Sequence, residues 1–141
     1  MKEISLISVT FLLKSINLFE DLDLDILIAI ADKMHQEIFD ENEKIFDVNQ
    51  IASRMYIIAK GSVEILDENE NVISTLKESD FFGDESLFNE LPRSYMARCQ
   101  KDTLLLTLSK SNLLTIISEC PSIGIALLQS YSKNITFRKV R

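Results

Sequence analysis

The chain has 141 residues, of which 46% are hydrophobic and 26% are charged, a composition that suits one domain with a buried core and excludes a disordered chain. Its net charge of −7 disfavours nucleic acid as the main partner. No apolar run reaches the roughly 18–20 residues of a membrane-spanning helix, no signal peptide is recognisable, and the two cysteines are too few for a disulfide framework. We therefore expect a cytoplasmic protein that does not insert into membranes.

The first 35 residues predict two helices. Residues 2–15 form a short, mostly apolar segment, and Asp23–Met34 has the better helical pattern, because its apolar residues recur at i, i+3, i+4 and i+7. Asp23 is a candidate N-cap for this second helix.

Residues 36–108 change from a helical period to short strands separated by polar turns. Because the chain has only three Gly and two Pro, its turns must use Asn, Asp and Ser, and Asn42 and Asn49 are candidates for a positive φ. Short strands at this spacing predict an antiparallel sandwich or barrel. The predicted strands are Gln36–Phe39, Lys44–Phe46, Met55–Ala59, Ser62–Leu66, Val72–Leu76, Ser94–Gln100 and Thr103–Leu108.

Residues 109–141 return to a helical period and predict two helices. Ser109 is a candidate N-cap for the first helix, and Pro121 ends that helix and opens the second. The second helix is expected to extend to Val140. Its apolar stripe is formed by Ile123, Leu127, Leu128, Tyr131 and Ile135.

The segment from Phe81 to Ala97 is the most distinctive part of the chain. Gly83 allows backbone N–H groups to approach a ligand, and a helical turn at Ser86–Asn89 would present further N–H groups to an anion. The guanidinium of Arg93 has the planar fork that suits a phosphate. A carboxylate at Asp84 would repel a phosphate but suits a sugar hydroxyl. The pattern predicts a ligand that has both a phosphate and a ribose.

The same segment resembles the phosphate-binding cassette of cyclic nucleotide-binding domains, whose usual pattern is F-G-E-x-x-L, a spacer and P-R-[AST]-A. Met55–Val63 resembles a strand and turn of that family, and Leu18–Leu22 resembles the entry to its first core helix. The resemblance covers residues 12–135. The cassette residues that fit the pattern are Phe82, Gly83, Leu87, Pro92, Arg93 and Ser94.

The resemblance implies one domain over residues 1–141, of the type found in the catabolite activator protein and in protein kinase A regulatory subunits. Its fold would be mainly β, an antiparallel, jelly-roll-like β-roll at 36–108 with the cassette at 82–95. Helices would flank the roll at 1–35 and 109–141.

The resemblance also implies a ligand site in the cassette, from which the chain departs at two positions. Asp84 replaces the usual ribose-binding Glu, and Tyr95 replaces a small residue, so that its ring either fills the ligand space or lies outward. Glu85 is expected to point away if the turn is kept. The implied ligand-binding residues are Phe82, Gly83, Asp84, Glu85, Ser86, Leu87, Arg93, Ser94 and Tyr95.

The resulting hypothesis is a non-catalytic sensor that binds cyclic AMP or cyclic GMP and signals through its C-terminal helix to an effector domain or partner protein. A homodimer through that helix stays open. The alternative is the same fold without ligand, acting as an interaction domain or as part of a larger transporter, channel or kinase. An enzyme or a metal site is not expected, because His35 is the only His and no nucleophile with a partner base is visible.

Overall fold

The computed structural model describes residues 1–133, which form two antiparallel sheets flanked by helices. The two sheets and flanking helices confirm the predicted fold class. Within these residues the α-helices are α1 (Leu6–Lys14), α2 (Leu24–Asp32), α3 (Glu85–Asn89), α4 (Lys110–Glu119) and α5 (Pro121–Lys133). The strands are β1 (His35–Phe39), β2 (Lys44–Phe46), β3 (Arg54–Lys60), β4 (Val63–Leu66), β5 (Val72–Leu76), β6 (Phe81–Phe82), β7 (Met96–Cys99) and β8 (Thr103–Ser109).

The strands pair in the orders β1-β8-β3-β6 and β2-β7-β4-β5, and every pair is antiparallel. The central strands β3 and β8 are almost wholly buried, and their Ile, Leu and Met side chains suit a strand that is covered on both faces. Gly61 makes the turn between β3 and β4 with a φ of +102°, and a Cβ there would lie 2.4 Å from the Oγ1 of Thr103. The strand β6 precedes the cassette directly and adds it to the edge of the first sheet.

Several predicted boundaries and turns are close to the observed ones. Asn42 and Asn49 have φ values of 68° and 72°, as expected for Asn in the place of Gly. The hydroxyl of Ser109 accepts a hydrogen bond from the N–H of Asn112 and caps α4, and Pro121 opens α5. The predicted extension of the last helix to Val140, including Ile135, lies outside the described residues.

The structure corrects other boundaries. The helix predicted at 2–15 is shorter, because α1 begins at Leu6 behind the N-cap Ser5. Asp23 occupies the N-cap position of α2, but its side chain makes no capping hydrogen bond. The strand predicted from Ser94 begins only at Met96. The two-residue strand β6 and a 3-10 turn at Asn17–Phe19 were not predicted, because both are too short to show a period.

Two apolar clusters form the core. The larger one joins the helices to the outer face of the first sheet, and the smaller one fills the interior of the roll. Gln36 also ties the N-terminal segment to β1 through two hydrogen bonds of 2.8 Å with the backbone of Ile4. No single helix within residues 1–133 has the length and apolar composition of a membrane span; α4 and α5 meet that description only as a pair, and they are bent by 111°.

Candidate functional site

The cassette begins at a glycine that the local packing requires. Gly83 follows β6 with a φ of +78°, and a Cβ at this position would lie 3.0 Å from Nη1 of Arg93 and 3.3 Å from Cδ2 of Tyr56. The backbone can therefore approach the guanidinium closely only because this residue has no side chain. The short helix α3 follows and ends at Glu90, whose φ is 59°.

Arg93 lies inside the protein and contacts the cassette backbone. Arg93 is only 3% exposed. Its guanidinium donates hydrogen bonds to the carbonyls of Gly83 (2.5 Å) and Arg54 (2.6 Å). The guanidinium carbon lies 4.2 Å from the centre of the Phe46 ring, which is a cation–π contact. The backbone of Arg93 is held by hydrogen bonds of 2.8 Å with Asn49 and Gln50. The guanidinium is therefore held at the cassette, and two of its N–H groups already have backbone carbonyls as partners.

Tyr95 points into the roll. Its hydroxyl accepts a hydrogen bond of 2.9 Å from the N–H of Gly83, and its ring lies 5.5 Å from that of Phe46. Burial raises the pKa of this phenol, and the negative charge of Glu85 adds to the effect. The hydroxyl is neutral. It accepts the hydrogen bond of the Gly83 N–H, the backbone donor that the sequence pattern assigns to a ligand phosphate.

Further aromatic rings lie in the roll interior, together with aliphatic side chains such as Ile58 and Leu105. Phe46 lies 5.8 Å from Tyr56 and 6.0 Å from Phe82, and Tyr56 stacks on Phe82 at 5.1 Å. Together with Tyr95 these rings form one continuous cluster, which we call the roll aromatic cluster (Phe46, Tyr56, Phe82, Tyr95). Through Tyr95 this cluster reaches the cassette.

Asp84 connects the cassette to α5. It is only 3% exposed, and its carboxylate accepts a hydrogen bond from the hydroxyl of Tyr131. Burial, and after it the charge of Glu85, raises the pKa of Asp84 to about 7, although the Tyr131 hydrogen bond acts in the opposite direction. The carboxyl that the family resemblance assigns to a ribose is therefore held by the C-terminal helix.

Glu85 lies directly beside Asp84 in the cassette. This half-buried residue opens α3, and its negative charge contributes to raising the pKa of Asp84 and of the Tyr95 phenol. Its charge also acts on Arg93 and Tyr131. The expectation that its side chain points away from the ligand stays a prediction.

The remaining predicted site residues divide into buried and exposed positions. Phe82, Ser86 and Leu87 are buried, and Leu87 belongs to the larger core cluster. Ser94 is exposed. Among residues 1–133, no group of three or more His, Cys, Asp or Glu side chains is arranged to hold a metal ion.

An apolar hollow lies beside the Asp84 contact. It has a volume of about 310 Å³, and the ring of Tyr131 lies 6.4 Å from that of Phe88 at its edge. The tyrosine therefore presents its hydroxyl to the cassette and its ring to the hollow. The other lining residues are Leu114, Ile117, Gly124, Leu127 and Leu128.

The sequence alone did not reveal the pairing of Tyr131 with Asp84, which are 47 positions apart. The only available signal was that a tyrosine interrupts the aliphatic stripe of α5, and a buried tyrosine hydroxyl usually needs a hydrogen-bond partner.

Comparisons with known proteins identify the family. The family model described as "Cyclic nucleotide-binding domain" matches residues 36–120. The chain is 25% identical over 122 residues to a cAMP-dependent protein kinase regulatory subunit of Debaryomyces hansenii, and the match covers 86% of this chain and 26% of the relative. It is 32% identical over 104 residues to potassium channel AKT2/3 of Arabidopsis thaliana, and the match covers 72% of this chain and 13% of the channel.

Among solved structures, the regulatory domain of Toxoplasma gondii protein kinase A, crystallised with cAMP, shares the fold with a TM-score of 0.81 at 19% identity, over 91% of this chain and 50% of that one. The chain spans only 26% and 15% of the lengths of the first two curated relatives. Because the family model covers more than half of its length, the chain belongs to the cyclic nucleotide-binding domain family.

Proposed function

We propose that this chain is a non-catalytic regulatory module that binds a cyclic nucleotide in its cassette and reports the ligand through α5. The observation that carries the proposal is the hydrogen bond from Tyr131 to Asp84. Arg93 and the N–H of Gly83 would meet the phosphate, and Ser94 would add a hydroxyl. The base would lie between the roll and α5, near Tyr131, where the apolar hollow offers room.

The proposed mechanism is competition between the ligand and Tyr131 for the carboxylate of Asp84. A ribose hydroxyl that hydrogen-bonds Asp84 replaces the Tyr131 hydroxyl, and α5 then loses its polar contact with the cassette. A hydrogen bond to a charged group contributes about 1.5–3 kcal/mol, which is enough to shift a helix between two packings. Ligand and helix position are thereby coupled through a shared acceptor.

Isothermal titration calorimetry with cyclic AMP and cyclic GMP tests the proposal. We expect the wild type to bind one of them with micromolar to millimolar affinity, and Tyr131→Phe to bind about tenfold more tightly because it lacks the competing hydroxyl. Ser132→Ala is the matched control, since it removes a neighbouring exposed hydroxyl that donates a hydrogen bond to the carbonyl of Leu128, within its own helix. Equal affinities for Tyr131→Phe and wild type would contradict the competition.

A second function is favoured by one observation, namely that the roll aromatic cluster packs the interior of the roll and the Tyr95 hydroxyl bonds the Gly83 N–H. In that case the module is an interaction domain of a larger channel, transporter or kinase and binds no nucleotide. Absence of binding by wild type, Tyr131→Phe and Tyr95→Ala would establish this alternative. The effector domain, a homodimer through α5 and the cytoplasmic location stay predictions.

A further inference from the structure

The strand β5 is an open edge of the second sheet. The sheet order is β2-β7-β4-β5, so β5 pairs with β4 on one side, and within residues 1–133 no strand pairs with its other side. Residues 72–75 are exposed, with Val72 at 55% and Ile73 at 63%. The outer backbone N–H and C=O groups of such a strand are available to an added strand.

Of the four edge strands within residues 1–133, β5 is the one that lacks the usual protection of an edge. The strand β1 contains the charged Glu37, β2 begins with Lys44, and β6 has only two residues. The five residues of β5 include no charge and no proline, and three of them are β-branched. A strand added here would therefore meet an uncharged edge of high β-propensity.

Acidic residues lie at both ends of this edge. Residues 67–80, which comprise β5 and its flanking turns, contain five Asp or Glu and one Lys. Glu68 before the strand and Glu78 after it are exposed, and within residues 1–133 neither belongs to an ion pair. The edge therefore attracts a positively charged segment and repels a second copy of itself.

A second hollow, which we call the edge hollow, continues this edge beyond Leu76. It has a volume of about 410 Å³ and lies between the loop that follows β5 and the residues after α1. Glu78 and Asp80 line it from the loop, and Asn17 lines it from the facing side. Two carboxylates and an amide suit the charged end of a Lys or Arg side chain, whose apolar stem can lie along Leu76.

We propose that the outer edge of β5 binds an extended, basic segment of a partner protein as an added strand. Backbone hydrogen bonds to β5 hold the segment, apolar side chains of the segment contact Val72 and Ile73, and a Lys or Arg enters the edge hollow. The inference goes beyond the proposed function, because it uses no residue of the cassette and requires no nucleotide.

Fluorescence anisotropy with a labelled synthetic peptide of alternating Val and Lys tests the proposal on the full 141-residue chain. One control peptide has Glu in place of Lys. A second has a methyl group on every backbone nitrogen, which removes the hydrogen-bond donors and keeps the side chains. We expect the Val-Lys peptide to bind about tenfold or more tightly than either control, and the amide resonances that it shifts in NMR spectra should lie within residues 68–80.

Charge removal at the two ends of the edge tests the electrostatic part. The double variant Glu68→Gln with Glu78→Gln should bind the Val-Lys peptide about threefold more weakly at low salt. Glu3→Gln with Glu41→Gln is the matched control, because it removes two exposed charges from the segment before α1 and from the turn between β1 and β2. This control should bind the peptide as the wild type does.

Several outcomes would overturn the proposal. Equal binding of the Val-Lys peptide and its N-methylated form would exclude an added strand, and equal effects of the two double variants would exclude the acidic ends. No binding at millimolar peptide, or amide shifts centred on another surface, would exclude the edge itself. A dimer in sedimentation equilibrium that the peptide dissociates would make a second copy the occupant. None of these results bears on the calorimetric test of the cassette, so the two proposals fail independently.

Discussion

Arg93 is a structural residue as well as a candidate phosphate ligand. The sequence pattern predicts that Arg93 lies in a ligand pocket and that its side chain can be removed without harm to the fold. The structure instead buries the side chain on Phe46 and bonds it to the carbonyls of Gly83 and Arg54. Removing a charged donor leaves such carbonyls without a partner, which is costly in a buried position.

Arg93→Ala should therefore abolish nucleotide binding and also lower the free energy of unfolding by about 2–4 kcal/mol. Arg98→Ala is the control, because Arg98 is half-buried on β7 and makes only longer ion pairs, 3.6 Å from Glu64 and 3.7 Å from Glu70. Its loss should cost about 1 kcal/mol or less. Urea unfolding of the three proteins distinguishes the two arginines. Equal stability of Arg93→Ala and wild type would contradict the buried role.

Tyr95 should limit the affinity of the site. Its ring fills space in the roll and its hydroxyl takes the Gly83 N–H, so displacement opposes ligand entry. Relief of an overfilled site is worth about 1–3 kcal/mol, so Tyr95→Ala should bind cyclic nucleotide about tenfold or more tightly. Tyr95→Phe frees the Gly83 N–H but keeps the ring, so its affinity should rise by less than that of Tyr95→Ala. The affinity of Asp84→Glu should also rise by less. Calorimetry on this series would refute the account if Tyr95→Ala and wild type bound equally.

The residue pattern predicted the positions of the cassette but not the contacts made there. Gly83 and Arg93 could be placed from their spacing, since a positive φ and a planar fork are local properties. The inward direction of Tyr95 could not, because it depends on how the segment before β7 packs against Phe46. The contact between Tyr131 and Asp84 requires α5 to be placed over the cassette, which no local pattern specifies.

At the scale of elements, the docking of α5 should respond to pH through Asp84. Burial raises the pKa of this carboxyl to about 7 in the folded protein, whereas the unfolded chain has the ordinary value near 4. The folded state therefore binds the proton more tightly. The resulting stabilisation is present at pH values below 4 and is lost as the pH rises toward 7 and above.

Asp84→Asn should remove this dependence, because the amide keeps an oxygen that accepts the Tyr131 hydrogen bond and has no charge. The free energy of unfolding of wild type should fall between pH 5.5 and pH 8 by about 1 kcal/mol or more relative to Asp84→Asn. Asp23→Asn is the control, since Asp23 is exposed and makes no capping hydrogen bond. Urea titrations at both pH values would contradict the account if all three proteins changed in parallel.

Elements with a strong period were predictable from the sequence, and short ones were not. The strands β2 and β5 agree with the predicted bounds, and α4 and α5 begin where Ser109 and Pro121 indicated. The strand β6 has two residues and exists because it pairs with β3, so only the tertiary structure defines it. The sheet orders likewise depend on pairings between distant segments, such as β1 with β8.

At the scale of the whole molecule, aromatic rings pack inside the sandwich, and α5 makes a polar bond to the cassette. The large core cluster joins α5 to the helices, and the roll aromatic cluster lies on the other side of the first sheet. The bond from Tyr131 to Asp84 links the cassette to the helix α5. The central claim is that a cyclic nucleotide breaks this link.

Fluorine NMR of the protein labelled with 3-fluorotyrosine tests that claim most directly, because the chain has only three tyrosines. Tyr131 and Tyr95 both lie on the contacts that the ligand must replace, while Tyr56 is stacked on Phe82 and serves as the internal comparison. Tyr→Phe variants assign the three resonances. Saturation with cyclic AMP should shift the resonances of Tyr131 and Tyr95 by more than that of Tyr56. The account is contradicted if calorimetry shows that the protein is saturated with cyclic AMP and the Tyr131 resonance has not moved.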